Sequence, residues 1–258
     1  MKVYEYGQEN DKNFVMFQCT AEPAWVFEPS AKCMAETHHV YLCIADGHDE
    51  TGSDFISIEK TVSDMAAYLR GHGVDHVNCM YGVSMGGACT VRFLATEDIP
   101  VDKAIIDAGI TPYPYPKIIC RLISVWDWIT MMLATKNMAI MKLAAPPERW
   151  TPAGEDPEAH YIRIFNFEKN HLSARTIYNV FWSANNYTMP DPVPEVNTEI
   201  EYWYGEEEKK ARKNDMAYVK NAYPRTVIKE FPGLAHAELV LMFPERFASE
   251  VRRFLGEK

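Results

Sequence analysis

The 258-residue sequence predicts an α/β protein: a mostly parallel, doubly wound sheet flanked by helices, with a helical subdomain inserted into it. Three observations carry that prediction. Short apolar runs alternate with helical patterns along most of the chain, which is the rhythm of strand–helix–strand units. The runs are nearly continuous in apolar residues, as suits strands covered on both faces. The rhythm stops between Pro112 and Pro194, where only helix-like segments occur and prolines cluster at both borders, in TPYPYPK and MPDPVPEV. We therefore expect a core made of residues 1–111 and 195–258 and an inserted helical cap, or lid, at 112–194.

Taken in order, the first stretch, MKVYEYGQENDKNF, is polar and strand-like and lacks the apolar run of a signal peptide. Asn13–Thr20 (NFVMFQCT) and His38–Ala45 (HHVYLCIA) are rich in aromatic and β-branched residues and read as strands. A helix follows, with Ser53 and Asp54 as candidate caps and Ile58, Val62, Met65 and Leu69 at helical spacing, stopping at Gly71 and Gly73. Val74–Gly82 and Val101–Ala108 are the next strands. Within the insertion we expect one or two helices in Lys117–Ala145, one near Pro157–Glu168 and one near Leu172–Asn185. Strands at Thr198–Gly205 and Arg225–Gly233 resume the pattern. A final helix opens at Pro244 and carries Phe247, Val251, Phe254 and Leu255 on one stripe.

Bulk properties narrow the function classes. Hydrophobic residues make up 47% and charged residues 24%, an ordinary globular balance able to bury a sizeable core. A net charge of -10 argues against a nucleic-acid partner, whose phosphates attract basic surfaces. The six cysteines form no CxxC pair and most lie in apolar runs, so they read as buried free thiols. The longest apolar region, Ile118–Ala145, is interrupted by Arg121, Asp127, Lys136 and Lys142, so no stable membrane insertion is expected. The expected location is cytoplasmic, and a homo-oligomer is compatible with the apolar insertion.

The chemistry starts at Gly82–Gly86, GVSMG, which fits G-x-S-x-G after a strand and before a helix. A sharp turn there would hold Ser84 in a strained conformation above the sheet. The helix beginning at Met85 would offer backbone N–H groups to an oxyanion. A serine nucleophile needs a base, and the base needs an orienting carboxylate. His236 lies after the last predicted strand and before the last helix, the best placed of the eight histidines. His48 sits in ADGHDETG, an acidic loop that matches no metal-ligand spacing and reads as a solvated turn. For the acid, the run Glu206, Glu207 and Glu208 follows Gly205, although such a run before KKARK is also a good helix start. Asp107, at the end of the strand after the nucleophile's helix, is the other candidate. A second oxyanion donor besides Met85 would come from the loop after Asn13–Thr20, as the backbone N–H of Ala21 or Thr20.

With GVSMGG, PGLAHAEL and YGEEE in hand, nearly the whole chain resembles the α/β-hydrolase superfamily of esterases and lipases. HHVYLCIADGHDETG is similar to that family's D-x-x-G-x-G-x-S strand and loop. The resemblance implies an acid three residues after a strand-end glycine, which is Glu208, and a cap made of the inserted helices. It also implies acyl-enzyme chemistry with no metal or organic cofactor. The chain departs from the family at QCTAEP, where His-Gly is usual, and in carrying Glu where Asp is commoner. A cap rich in Leu122, Ile123, Trp126, Trp128, Met131, Met132, Met138 and Met141 implies a small or medium, partly apolar ester, with Trp126, Met131 and Met132 as candidate contacts. Acyl transfer, thioester or amide cleavage on the same triad, and a weakly active ligand-binding protein of this fold, remain as alternatives.

Overall fold

The computed structural model describes residues 1–257. In chain order the elements are β1 (Lys2–Tyr6), β2 (Asn13–Phe17), α1 (Ala24–Met34), β3 (His39–Ile44), α2 (Ile58–Gly71), β4 (Val77–Val83), α3 (Met85–Thr96) and β5 (Val101–Asp107). Four helices then follow without a strand: α4 (Lys117–Lys136), α5 (Met138–Ala144), α6 (Pro157–His171) and α7 (Ala174–Ala184). The chain closes with β6 (Glu199–Gly205), α8 (Lys213–Ala222), β7 (Val227–Phe231), α9 (Glu238–Met242) and α10 (Pro244–Leu255).

The seven strands form one sheet in the order β1-β3-β2-β4-β5-β6-β7. Only β1 runs antiparallel, pairing with β3; all other neighbours are parallel. Successive side chains of β2 explain why its run is apolar throughout. Phe14 and Met16 pack with α1, α9 and α10 on one face, while Val15 and Phe17 pack with α2 and α3 on the other. This order puts β4 in the middle, so the residue after it is held by strands on both sides.

Several local expectations shift. The helix foreseen after ADGHDETG starts at Ile58, and Ser57, not Ser53 or Asp54, caps it by accepting from the Lys60 N–H at 3.2 Å. His48 and Asp49 are buried, not solvated: His48 packs edge-on against Phe55 at 6.3 Å, and burial lowers its pKa to about 4. The helix start read into the Glu run is a single 3-10 turn at Glu206–Glu208, and α8 begins only at Lys213. The helices α1, which contains Pro29, and α9 lie where sequence reasoning placed loops.

α4 packs along α7, where Trp128 Nε1 donates to the Ala174 carbonyl at 2.9 Å. Its opposite side leaves Ile118, Leu122, Trp126, Ile129 and Leu133 exposed. By length and composition this helix is apolar enough to cross a membrane, which the charge interruptions had spoken against.

Candidate active site

Ser84 follows β4 directly and has φ 57° and ψ −114°. A non-glycine residue rarely occupies positive φ, and the surroundings must hold it there. They do so by close packing. A Cβ on Gly82 would fall 2.1 Å from the Gly86 carbonyl oxygen, and one on Gly86 would fall 2.4 Å from that of Phe17. The glycines of GVSMG thus let β2 approach the start of α3. The Ser84 N–H donates to the Asp107 carbonyl at 2.8 Å, and its own carbonyl accepts from Ile110 at 3.2 Å. The Ser84 hydroxyl makes no capping bond to α3 and has no hydrogen-bond partner among the described residues.

The three glutamates after Gly205 point to different partners. Glu206 accepts from the Gly233 N–H at 2.8 Å. Glu207 is gripped by Arg149 at 2.9 Å through both carboxylate oxygens. Glu208 Oε2 lies 2.7 Å from His236 Nδ1, while its Oε1 accepts from the Gly205 N–H at 3.2 Å. A carboxylate can only accept, so Nδ1 carries a proton, and in the neutral ring Nε2 keeps its lone pair. Arg212 stands 3.5 Å from the same Oε2 and gives this half-buried carboxylate a cationic neighbour.

The loop carrying His236 is pinned from outside. Arg149 donates to Glu238 at 2.7 Å and to the Gly233 carbonyl at 3.1 Å, and Glu238 in turn accepts from the Ala235 N–H at 2.7 Å. Ala237 takes a left-handed conformation, φ 60°, to turn the chain into α9. Sequence reasoning missed Arg149; an isolated arginine in an irregular stretch gives no pattern to find.

Asp107 is placed differently from Glu208. Its carboxylate accepts from the Tyr81 hydroxyl at 2.6 Å, and burial pushes its pKa to about 6 despite that bond. The folded state therefore binds this proton more tightly than the unfolded chain does, and stability falls as pH rises from about 4 to about 6. Asp107→Asn keeps an acceptor for Tyr81 and removes the ionisation penalty. The variant is expected to gain on the order of 2 kcal/mol at pH 7 and nothing below pH 4, measured by urea unfolding at the two pH values.

On the other side of Ser84, the loop after β2 supplies the proposed oxyanion donors. Ala21 is buried with φ 67°, Thr20 is half-buried, and Met85 is buried at the first position of α3. Of the candidate substrate contacts, Met131 and Met132 pack with Ala21 and Phe167. Trp126 is 67% exposed on the outer side of α4. The larger of two cavities near these residues, about 570 Å³, is lined by Tyr113, Asp127, Phe181 and Arg212 among others. The smaller, about 170 Å³, is lined by Met131 and Glu22 among others. Neither is lined by Ser84 or His236. Among the described residues no group of three or more His, Cys, Asp or Glu side chains could hold a metal ion.

No protein-family model matches the chain, and no curated protein sequence matches it significantly. Solved structures do. An α/β-hydrolase enzyme from a Medee basin deep-sea metagenome library is 12% identical, with TM-score 0.77 over 100% of this chain and 94% of its own. A serine hydrolase from Cycloclasticus zankles is 13% identical, with TM-score 0.75 over 98% and 93%. A thermophilic esterase from Thermogutta terrifontis is 13% identical, with TM-score 0.70 over 99% and 92%. Likeness of this extent at so low an identity is a likeness of architecture: this chain has the α/β-hydrolase fold.

Proposed function

We propose that the protein is a serine hydrolase that cleaves carboxylic esters of a small or medium, partly apolar substrate. The observation that carries this reading is the 2.7 Å contact between Glu208 and His236, which follow the neighbouring strands β6 and β7, in a chain whose Ser84 is held at positive φ after β4. Esterase and serine-hydrolase structures among the neighbours agree with it. In the first step His236 Nε2 takes the Ser84 proton as Oγ attacks the acyl carbonyl. The N–H of Met85 and that of Ala21 or Thr20 stabilise the oxyanion, and the imidazolium returns its proton to the departing alcohol. Water activated by the same nitrogen then cleaves the acyl-enzyme, restoring the serine and releasing the acid. Glu208 holds the tautomer throughout and stays ionised. The four helices between β5 and β6 act as the cap over this site.

The test is labelling with a fluorophosphonate probe followed by peptide mapping. One adduct is expected, on Ser84, and none in His236→Ala. Labelling elsewhere, or none on folded protein, would sink the mechanism.

A further inference from the structure

The smaller cavity, about 170 Å³, lies among α1, the inserted helices and α9. Most of its wall is apolar, with Met131, Tyr161 and Met242 as large members, and no lysine or arginine lines it. Set into that wall are three acceptors: Glu22, Glu168 and His160. Glu168 is 5% exposed and His160 is 4% exposed. Glu168 Oε2 and His160 Nε2 have no hydrogen-bond partner among the described residues. The other ring nitrogen, Nδ1, lies 2.7 Å from Glu155, so in the neutral ring the proton sits on Nδ1 and Nε2 is an acceptor.

Buried polar atoms without partners are costly and uncommon, and here two of them, Glu168 Oε2 and His160 Nε2, share one small chamber. An apolar guest would leave them unpaired. An anion would find no lysine or arginine and would oppose ionisation of the two carboxyl groups. A hydroxyl brings a single proton. A primary ammonium brings three N–H donors and the positive charge that the chamber lacks, and its alkyl stem suits the apolar wall. We infer that this cavity binds a primary alkylammonium group and, in the reaction proposed above, holds the amino-bearing end of the substrate. The second half rests on the serine-hydrolase reading. Its support is continuity: Glu22 follows Ala21 in the chain, and Met242 belongs to the helix that starts just after His236. Burial pushes Glu22 up to about 7 and Glu168 up to about 8, the latter helped by the charge of Glu22. The two carboxyl groups thus hold their protons near neutrality, and an ammonium would displace those protons and pair with the carboxylates.

Two measurements on the full chain test this. In calorimetric titration, n-pentylammonium is expected to bind at least about tenfold more tightly than n-pentanol, and a Glu22→Gln/Glu168→Gln variant, its fold checked by circular dichroism, is expected to lose that margin. Equal binding of amine and alcohol would overturn the inference. In kinetics, p-nitrophenyl 6-aminohexanoate is expected to exceed p-nitrophenyl hexanoate about 10- to 100-fold in kcat/KM, the ratio collapsing toward one in Glu168→Gln. Hydrolysis of both esters without preference would overturn the substrate assignment and leave the serine-hydrolase reading standing. Pentylammonium binding with no fluorophosphonate adduct on Ser84 would do the reverse: it would keep the ammonium site, and sink that reading together with the substrate assignment.

Discussion

Ser84→Ala is expected to lower kcat for p-nitrophenyl butyrate by about 10⁴-fold or more, leaving only what the oxyanion donors and binding contribute. The hydroxyl is the sole group in the proposed site able to form the acyl-enzyme. Its removal takes no hydrogen bond from the folded chain, because it caps nothing in α3. Alanine keeps the small Cβ that φ 57° already tolerates, so the melting temperature is expected to change little. That pairing of outcomes is the useful one. Lost activity with an unchanged melt places the defect in chemistry. Retained activity in a variant free of wild-type contamination would show that another group is the nucleophile.

Glu208→Gln is expected to lower kcat by roughly 10³- to 10⁴-fold with little change in KM. Glutamine fits the same space and can still accept from the Gly205 N–H. It can also turn its amide NH₂ toward His236, and the ring then presents Nδ1 as acceptor and carries its proton on Nε2, the wrong tautomer for a base facing serine. Losing the carboxylate also leaves the imidazolium of the transition state without its counter-charge, since Arg212 is itself cationic. Glu206→Gln and Glu207→Gln are the controls, for their carboxylates serve Gly233 and Arg149. Full activity in Glu208→Gln together with inactivity of Asp107→Asn would transfer the role to Asp107. The assay is steady-state hydrolysis across pH.

The sheet and the serine were legible because each leaves a dense local signature. Continuous apolar runs mark strands covered on both faces, and glycines flanking Ser84 mark close backbone approach that only they allow. His236 was legible from its place after the last strand. Glu208 could be separated from its two neighbours only through a resemblance, since adjacent glutamates differ by the direction in which a 3-10 turn sends them. The proposed oxyanion donors are backbone atoms, and their side chains carry no trace of such a role. His48 was misread because a loop rich in Asp and Glu looks wet, whereas Phe55 folds back over this one. Glu22, His160 and Glu168 are ordinary polar residues in their own segments. Nothing marks them until the inserted helices bring them to one chamber.

The insertion between β5 and β6 has a further consequence, in chain entropy. These strands are direct neighbours, with Asp107 opposite Trp203. Their pairing therefore closes a loop of roughly a hundred residues, and the cost of closing such a loop grows only as the logarithm of its length, about 0.6 kcal/mol for each doubling. Halving or doubling the inserted segment would alter the free energy of closing the sheet by less than a single buried methylene contributes. The inserted helices can thus lengthen or shorten at little cost in closure entropy while Ser84 stays fixed at the middle of the sheet.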